Sequence, residues 1–453
     1  MLNAKWPMLN AKRALLFLIL LVLPALPTAQ GTMTADESRL VAFIDKTNDD
    51  ALKLLERVVN INSGTQNFDG VRAVGKIFQQ EFDALGFKTR WIDGAPFKRA
   101  GHLVAEHPAP GPKVLLIGHL DTVFEPDSPF QKFERVDARY ARGPGIIDMK
   151  GGNVIIVQAI KALQSTGALS SMNVVVVLTG DEEDAGDPLS LARAALHDAA
   201  KGAAAAIGFE DGPGDPKTAV ISRRGTTSWT LRVKGQPAHS SQIFRQDIGA
   251  GAIFEAARVL DAFREKLSGE PHLTFNPGTI VGGTAVEHDP VQARGTAFGK
   301  TNVIAEHAVV NGDMRTLSPD QLAKAKAAME AIVKASLPHT ESTITFEDGY
   351  PPLAPTDGNR KLLAIYDQAS RDVGAGPVTA VDPDRAGAAD VSFVAAEVPQ
   401  IMDGIGLMGH DDHTAKETAD LDTLPSQTKR AAVFLLRLMR SVRSPGHLLI
   451  PPS

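Results

Sequence analysis

Apolar residues recur at helical spacing from Asp36 to Asn60 and again from Gly70 to Leu85, where Gly86 ends the run. Two helices are therefore expected at the start of the folded chain. A different texture follows. Lys113–Ile117, Asn173–Thr179 and Ala203–Phe209 are short apolar runs bounded by glycine or charged loops, the pattern of strands buried on both faces. Between them, Gly152–Ser165 and Pro188–Ala200 carry helical spacing. Strand and helix in alternation predict an α/β fold, a largely parallel sheet flanked by helices.

Beyond Arg223 the pattern changes. Ser228–Val233 alternates as a half-exposed strand does, helices are expected over Gly249–Leu267 and Ser318–Ala335, and strands near Thr279 and Val309. These mark a smaller α+β domain, residues 222–340, inserted between two parts of the α/β domain at 34–221 and 341–445. Helical spacing resumes over Asn359–Val373 and Leu424–Val442.

Residues 1–29 stand apart. Lys5, Lys12 and Arg13 precede the apolar run Ala14–Leu23, then Pro24 and small residues to Ala29. That is the pattern of a secretory signal, and the run is about half of the roughly 20 residues a membrane-spanning helix needs. A periplasmic or secreted protein is expected, with no stable membrane insertion after cleavage. Met1-Leu-Asn-Ala-Lys5 recurs at Met8–Lys12, and either start leaves the signal intact. Removing the segment takes away three cations and no anion, so the net charge moves from −6 to −9.

Charge and composition narrow the chemistry. With 47 basic against 53 acidic residues and no dense Lys/Arg run, nucleic acid is not an expected partner. There is no cysteine, so any zinc must be held by His, Asp and Glu. Val114–Ile117 runs into Gly118-His119-Leu120-Asp121, presenting an imidazole at a strand's carboxyl end, where open α/β sheets bind ligands. Asp121 is placed to fix the His119 tautomer. Gly143–Gly152 sets Asp148 in a glycine-rich turn before a helix, where its plainer role is a cap. Asp181-Glu182-Glu183-Asp184 crowds four acids that repel unless a cation offsets them, or else form a solvated loop. Glu210 again follows a strand, and His410 and His413 lie near the far end. Imidazole and carboxylate without thiolate suit zinc, with cobalt or manganese as substitutes.

In order and rough spacing, Gly118-His-Leu-Asp-Thr-Val123, Gly145-Ile-Ile-Asp-Met-Lys-Gly151, Thr179-Gly-Asp-Glu-Glu183 and His413-Thr-Ala-Lys-Glu417 resemble the motifs of the M20 metallopeptidase family. That family includes carboxypeptidase G, acetylornithine deacetylase and succinyl-diaminopimelate desuccinylase, and the resemblance covers nearly all of the chain after the leader. It implies a zinc-exopeptidase-like domain, an inserted dimerisation and lid domain, a homodimer, and two Zn2+ per chain. By the same resemblance, His119 and Glu210 hold one ion, Glu183 and His413 the other, and Asp148 both. Glu182 is the general base, Asp121 holds His119, and the Asp148–Met149 peptide is cis. The His-Thr-x-x-Glu pattern favours His413 over His410 as the closing ligand. His239 resembles the histidine that reaches the partner subunit's site to polarise the scissile carbonyl; a surface-turn histidine is the alternative. Asn302 and Arg315 resemble the positions that hold a substrate carboxylate, a task suited to arginine's planar fork. The alternative for Arg315 is a salt bridge within the inserted domain. Gly387-Ala-Ala-Asp390 departs from the family's frequent Gly-Gly-Thr-Asp.

The expected activity is metal-assisted hydrolysis of an amide beside a free carboxylate, in a small peptide or N-acyl amino acid, with glutamate-type carboxypeptidase activity within that class. An exported aminopeptidase or N-deacylase of similar fold is the rival enzyme; the aminopeptidase needs an acid for the free amine instead of Arg315. A catalytically dead binding module would have no reason to keep Glu182, which ligates nothing.

Overall fold

The computed structural model describes residues 33–289 and 294–443, so the expected leader over 1–29 lies outside it. Helix Ala35–Val59 is started by Thr34, whose hydroxyl accepts from the Glu37 amide while the Glu37 carboxylate accepts from the Thr34 amide. Helix Phe68–Ala84 follows, then a six-stranded sheet. Its spatial order is Lys88–Asp93, Gly101–His107, Asn173–Thr179, Lys113–His119, Ala203–Gly208 and Ile401–Met402. The last four run parallel, and Gly101–His107 pairs antiparallel with both of its neighbours.

Alternation along Lys113–His119 shows why these strands read as continuous apolar runs. Val114 and Leu116 pack into a core shared with helices Ala35–Val59, Gly151–Ser165 and Thr423–Arg443, while Leu115 and Ile117 face a second core with Ala195, Leu196, Val391 and Val394. Both faces are covered, so both parities are hydrophobic. The expected helix over 188–200 is instead two short ones, Leu189–Ala192 and Ala194–Ala200. They divide at Arg193, whose buried guanidinium pairs with Asp181 at 2.6 Å and Asp390 at 3.0 Å.

The inserted domain is an antiparallel sheet in the order Thr274–Gly283, His307–Thr316, Gly225–Gly235 and Thr340–Asp348. Trp229, Leu231 and Val233 alternate inward to meet Val259 and Phe263 of helix Gly251–Leu267 and Met329 of helix Pro319–Lys334. The domain boundary expected at 340 moves: Thr340–Asp348 pairs with Gly225–Gly235 along its whole length, so the insertion ends only after Asp348. An antiparallel pair of strands not expected from the sequence, Ala285–Asp289 and Arg294–Phe298, belongs to the same domain. Among the described residues no helix is long and apolar enough to cross a membrane.

Candidate active site

Strand ends converge at the carboxyl edge of the parallel sheet. His119 terminates its strand and is 1% exposed; its Nε2 lies 2.9 Å from Asp148 Oδ1 and 3.5 Å from Glu210 Oε1. The other oxygen of Asp148, Oδ2, lies 2.8 Å from His413 Nε2, which is also 3.3 Å from Glu183 Oε2. Asp148 therefore shows one oxygen to His119 and Glu210 and the other to His413 and Glu183. His410 is exposed, and its Nδ1 lies 2.9 Å from Asp411 Oδ2.

His119, the acidic loop and Asp148 are held from behind. Asp121 is wholly buried: its backbone carbonyl lies 3.0 Å from His119 Nδ1, and its carboxylate lies 3.5 Å from the same nitrogen. The carboxylate also accepts from the Thr65 hydroxyl at 2.7 Å and from the amides of Glu182 and Glu183 at 3.1 Å each. One acid thus orients both the imidazole and the acidic loop. Glu417 does the same for Asp148, accepting from the amides of Gly145, Ile147 and Asp148. The turn it clamps, Ile146–Lys150, contains a cis Asp148–Met149 peptide, and Asp148 does not cap the helix Gly151–Ser165 that follows, whose N-cap residue is Lys150. Gly145 enters that turn at φ 69°, and a Cβ there would run into Thr122.

The charges are out of balance without a cation. Burial, and then repulsion by Asp148, raises the Glu183 pKa to about 7; burial likewise raises Glu210 to about 7. Burial also raises Glu182 well above the ordinary value. At His119 burial opposes the charged form, but Glu210, Asp121 and Asp148 outweigh it and raise the pKa well above that of free imidazole. Hydrogen bonds to Asp148 and Glu183 push His413 up to about 11. Glu183 Oε1 is buried with no hydrogen-bond partner, and His119, Asp148 and Glu183 each bring a donor atom within 4.8 Å of the others. A donor set of imidazole nitrogens and carboxylate oxygens around an orphaned buried oxygen fits divalent zinc.

Asp148, Glu182, Glu183, Glu210 and His413 line one cavity of about 260 Å3. The other sequence candidates lie elsewhere in the chain. His239 is exposed, its Nδ1 2.9 Å from Ser241 Oγ, and it forms a strand bridge with Val303 beside Asn302. Arg315 Nε pairs with Asp313 at 2.8 Å within the inserted sheet. None of the three lines the metal-type cavity. Several residues there had no assigned role in the sequence reading. Asp412 brings an oxygen within 4.8 Å of the Asp148 and His413 donor atoms. Arg385 lines the cavity, and Arg223 does so while paired with Asp403. The run Asp411-Asp412-His413 was the available signal for Asp412; nothing in the sequence marked the two arginines.

The chain is 25% identical to carboxypeptidase G2 of Pseudomonas sp. (strain RS-16) over 417 residues, covering 90% of this chain and 94% of that protein. Its fold matches a tripeptidase from Staphylococcus aureus (TM-score 0.67, 20% identity, 87% of this chain and 99% of that one). It also matches a dinuclear metal binding peptidase of the M20 family from Bacillus subtilis (TM-score 0.60, 16% identity, 87% and 99%). The profile of peptidase family M20/M25/M40 matches residues 115–439, well over half of the chain. With that match, and a site whose acids and imidazoles call for cations, the chain belongs to peptidase family M20/M25/M40 and is a metallopeptidase-type hydrolase.

Proposed function

We propose that this chain is an exported carboxypeptidase or N-acyl amino acid hydrolase that works with two zinc ions. The observation that carries the reading is the placement of Asp148 between two His–Glu pairs, one oxygen toward each. His119 and Glu210 would hold one ion, Glu183 and His413 the second, and Asp148 both. Bound there, the ions would polarise the scissile carbonyl and bring a water's pKa toward neutrality. Glu182 would be the group that takes up a proton from the attacking water and returns it to the leaving amine. Its carboxyl is buried, and desolvation raises its pKa well above the ordinary carboxylate value, the direction that favours taking up a proton. Asp121 fixes the peptide of Glu182 and the ring of His119 together, so base and ligand keep one geometry.

The carboxylate preference is assigned to the inserted domain. Arg315 spends only Nε on Asp313, in a partly exposed pair worth little, and both terminal nitrogens have no partner among the described residues. A substrate carboxylate can take them in bidentate fashion, with Asn302 beside it. A homodimer accounts for the distance from the cavity. Phe244, Ile253, Phe254, Ile280 and Phe298 of the inserted domain are each about half or more exposed, and several line an apolar groove next to Ser240 and Val303. A second copy seated there would bring His239 toward the neighbouring site. Export rests on the signal pattern of residues 1–29.

Exchange of Glu182 for Gln tests the reading. Glu182→Gln is expected to keep metal and fold while losing about a hundredfold to ten-thousandfold in rate. Glu183→Gln should lose metal. The opposite pattern, measured by metal analysis and kcat, would reverse the assignment of base and ligand.

A further inference from the structure

Two chain segments cross between the domains, and they are zipped together. Thr227 pairs with Asp348 as the last rung of the inserted sheet; the Thr226 amide donates to the Tyr350 carbonyl at 2.8 Å, and the Tyr350 amide to the Thr226 hydroxyl at 3.0 Å. Arg223 and Leu353 exchange backbone bonds beyond them. The segments lie so close that a Cβ on Gly225 would stand 2.6 Å from Pro352 N and 2.7 Å from Tyr350 O. Any change in the attitude of the inserted domain must pass through this ribbon.

From the ribbon the Tyr350 side chain reaches into the catalytic domain. Its hydroxyl donates to the backbone carbonyl of Glu182 at 2.6 Å and accepts from Arg193 Nη2 at 3.1 Å. Arg193 is anchored by Asp181 and Asp390 and lies 5.0 Å from the Phe393 ring centroid, and Phe393 in turn packs against the Tyr350 ring. On the other side of the same peptide, Asp121 accepts from the Glu183 amide. The Glu182–Glu183 peptide is thus gripped from the metal side by Asp121 and from the domain junction by Tyr350.

We propose that Tyr350 is a positioning residue for Glu182, coupling the placement of the inserted domain over the substrate to the placement of the base. This rests on the reading of Glu182 as the base. The Glu183 side chain has in addition its own hold on the site, the pair with His413 at 3.3 Å, so loss of the phenol acts on the base more than on the metal. A base displaced by about 1 Å costs on the order of a hundredfold in rate, and loss of one hydrogen bond need not move it that far. Tyr350→Phe in the metal-loaded enzyme should therefore lower kcat about ten- to a hundredfold, with KM within about threefold of wild type and metal content unchanged. Thr226→Val, which loosens the ribbon without touching Glu182, should lower kcat by a smaller factor. On a Glu182→Gln background, Tyr350→Phe should lower the residual rate no further.

Any of four results overturns the proposal: kcat of folded Tyr350→Phe within about twofold of wild type, a kcat loss that tracks metal loss, an undiminished effect on the Glu182→Gln background, or a Thr226→Val enzyme of wild-type kcat. The last decides the matter even where Tyr350→Phe fails to fold. Failure of the base reading itself has a different signature, full activity in Glu182→Gln.

Discussion

The two candidate groups in this chain, the metal-type cluster and the trio His239, Asn302 and Arg315, are built in opposite ways. His119, Asp148, Glu183, Glu210 and His413 sit at strand ends and clamped turns; all but His413 are largely shielded, and His119, Asp148, Glu183 and Glu210 are fixed through Asp121, Glu417 or Asp403. The trio stands on the surface of the inserted domain, away from the cavity, with Arg315 in an exposed pair and His239 bonded to its own turn. The first group is complete within one chain. The second, on the reading proposed above, would act only when another surface, a closing domain or a partner copy, is brought against it.

Mixing two inactive variants probes that difference with the largest expected effect. His239→Ala chains and Glu182→Gln chains, each inactive alone, should regain activity as a hybrid dimer, because one site then combines an intact base with an intact histidine from the neighbour. Light scattering first checks for the dimer. Verified hybrids that stay inactive would place His239 outside the neighbouring site.

Arg315 gives a smaller effect. A charge-assisted bidentate contact is worth roughly 1.5–3 kcal/mol, so Arg315→Ala should cut the preference for acid over matched amide substrates by about tenfold or more in kcat/KM. Arg315→Lys should restore only part. An unchanged ratio in a folded variant would leave Arg315 as the partner of Asp313 alone and move carboxylate recognition to another residue.

The smallest effect is on stability and belongs to the buried cluster. Burial raises Glu183 and Glu210 from an ordinary 4.5 to about 7 in the metal-free fold. A raised folded pKa contributes stability that is fully present below about 4.5 and is lost as pH rises through about 7. His413, raised from 6.5 to about 11, adds a contribution that is lost only above neutrality. Stripped of metal, the protein should therefore lose about 5 °C in Tm between pH 5 and 8, while the metal-loaded form, its carboxylates compensated by cations, should not. Equal pH dependence in both forms would mean that these acids do not face the ions.

The same contrast explains how far the sequence could be read. Strands buried on both faces leave long apolar runs, and the loops after them must carry the ligands, so His119, Asp148, Glu183 and Glu210 were visible from strand ends and motif order. The closing strand of the inserted domain was not. Thr340–Asp348 alternates small polar and apolar residues, is largely exposed, and hid the true boundary at 348. Arg193 broke an expected helix because a buried ion network, assembled from distant positions 181 and 390, outweighed local spacing. Tyr350 and Arg385 carry no local signal at all, since their neighbours come from other segments of the chain, whereas Asp412 had only its place beside His413 to mark it.

The central claim is that Asp148 joins two ions, and metal content measures it most directly. Zinc-reconstituted protein, folded and active, should hold two ions per chain by elemental analysis, and Asp148→Asn should lose both together with activity. One ion per chain in fully active protein, or an Asp148→Asn enzyme that keeps two, would contradict the account.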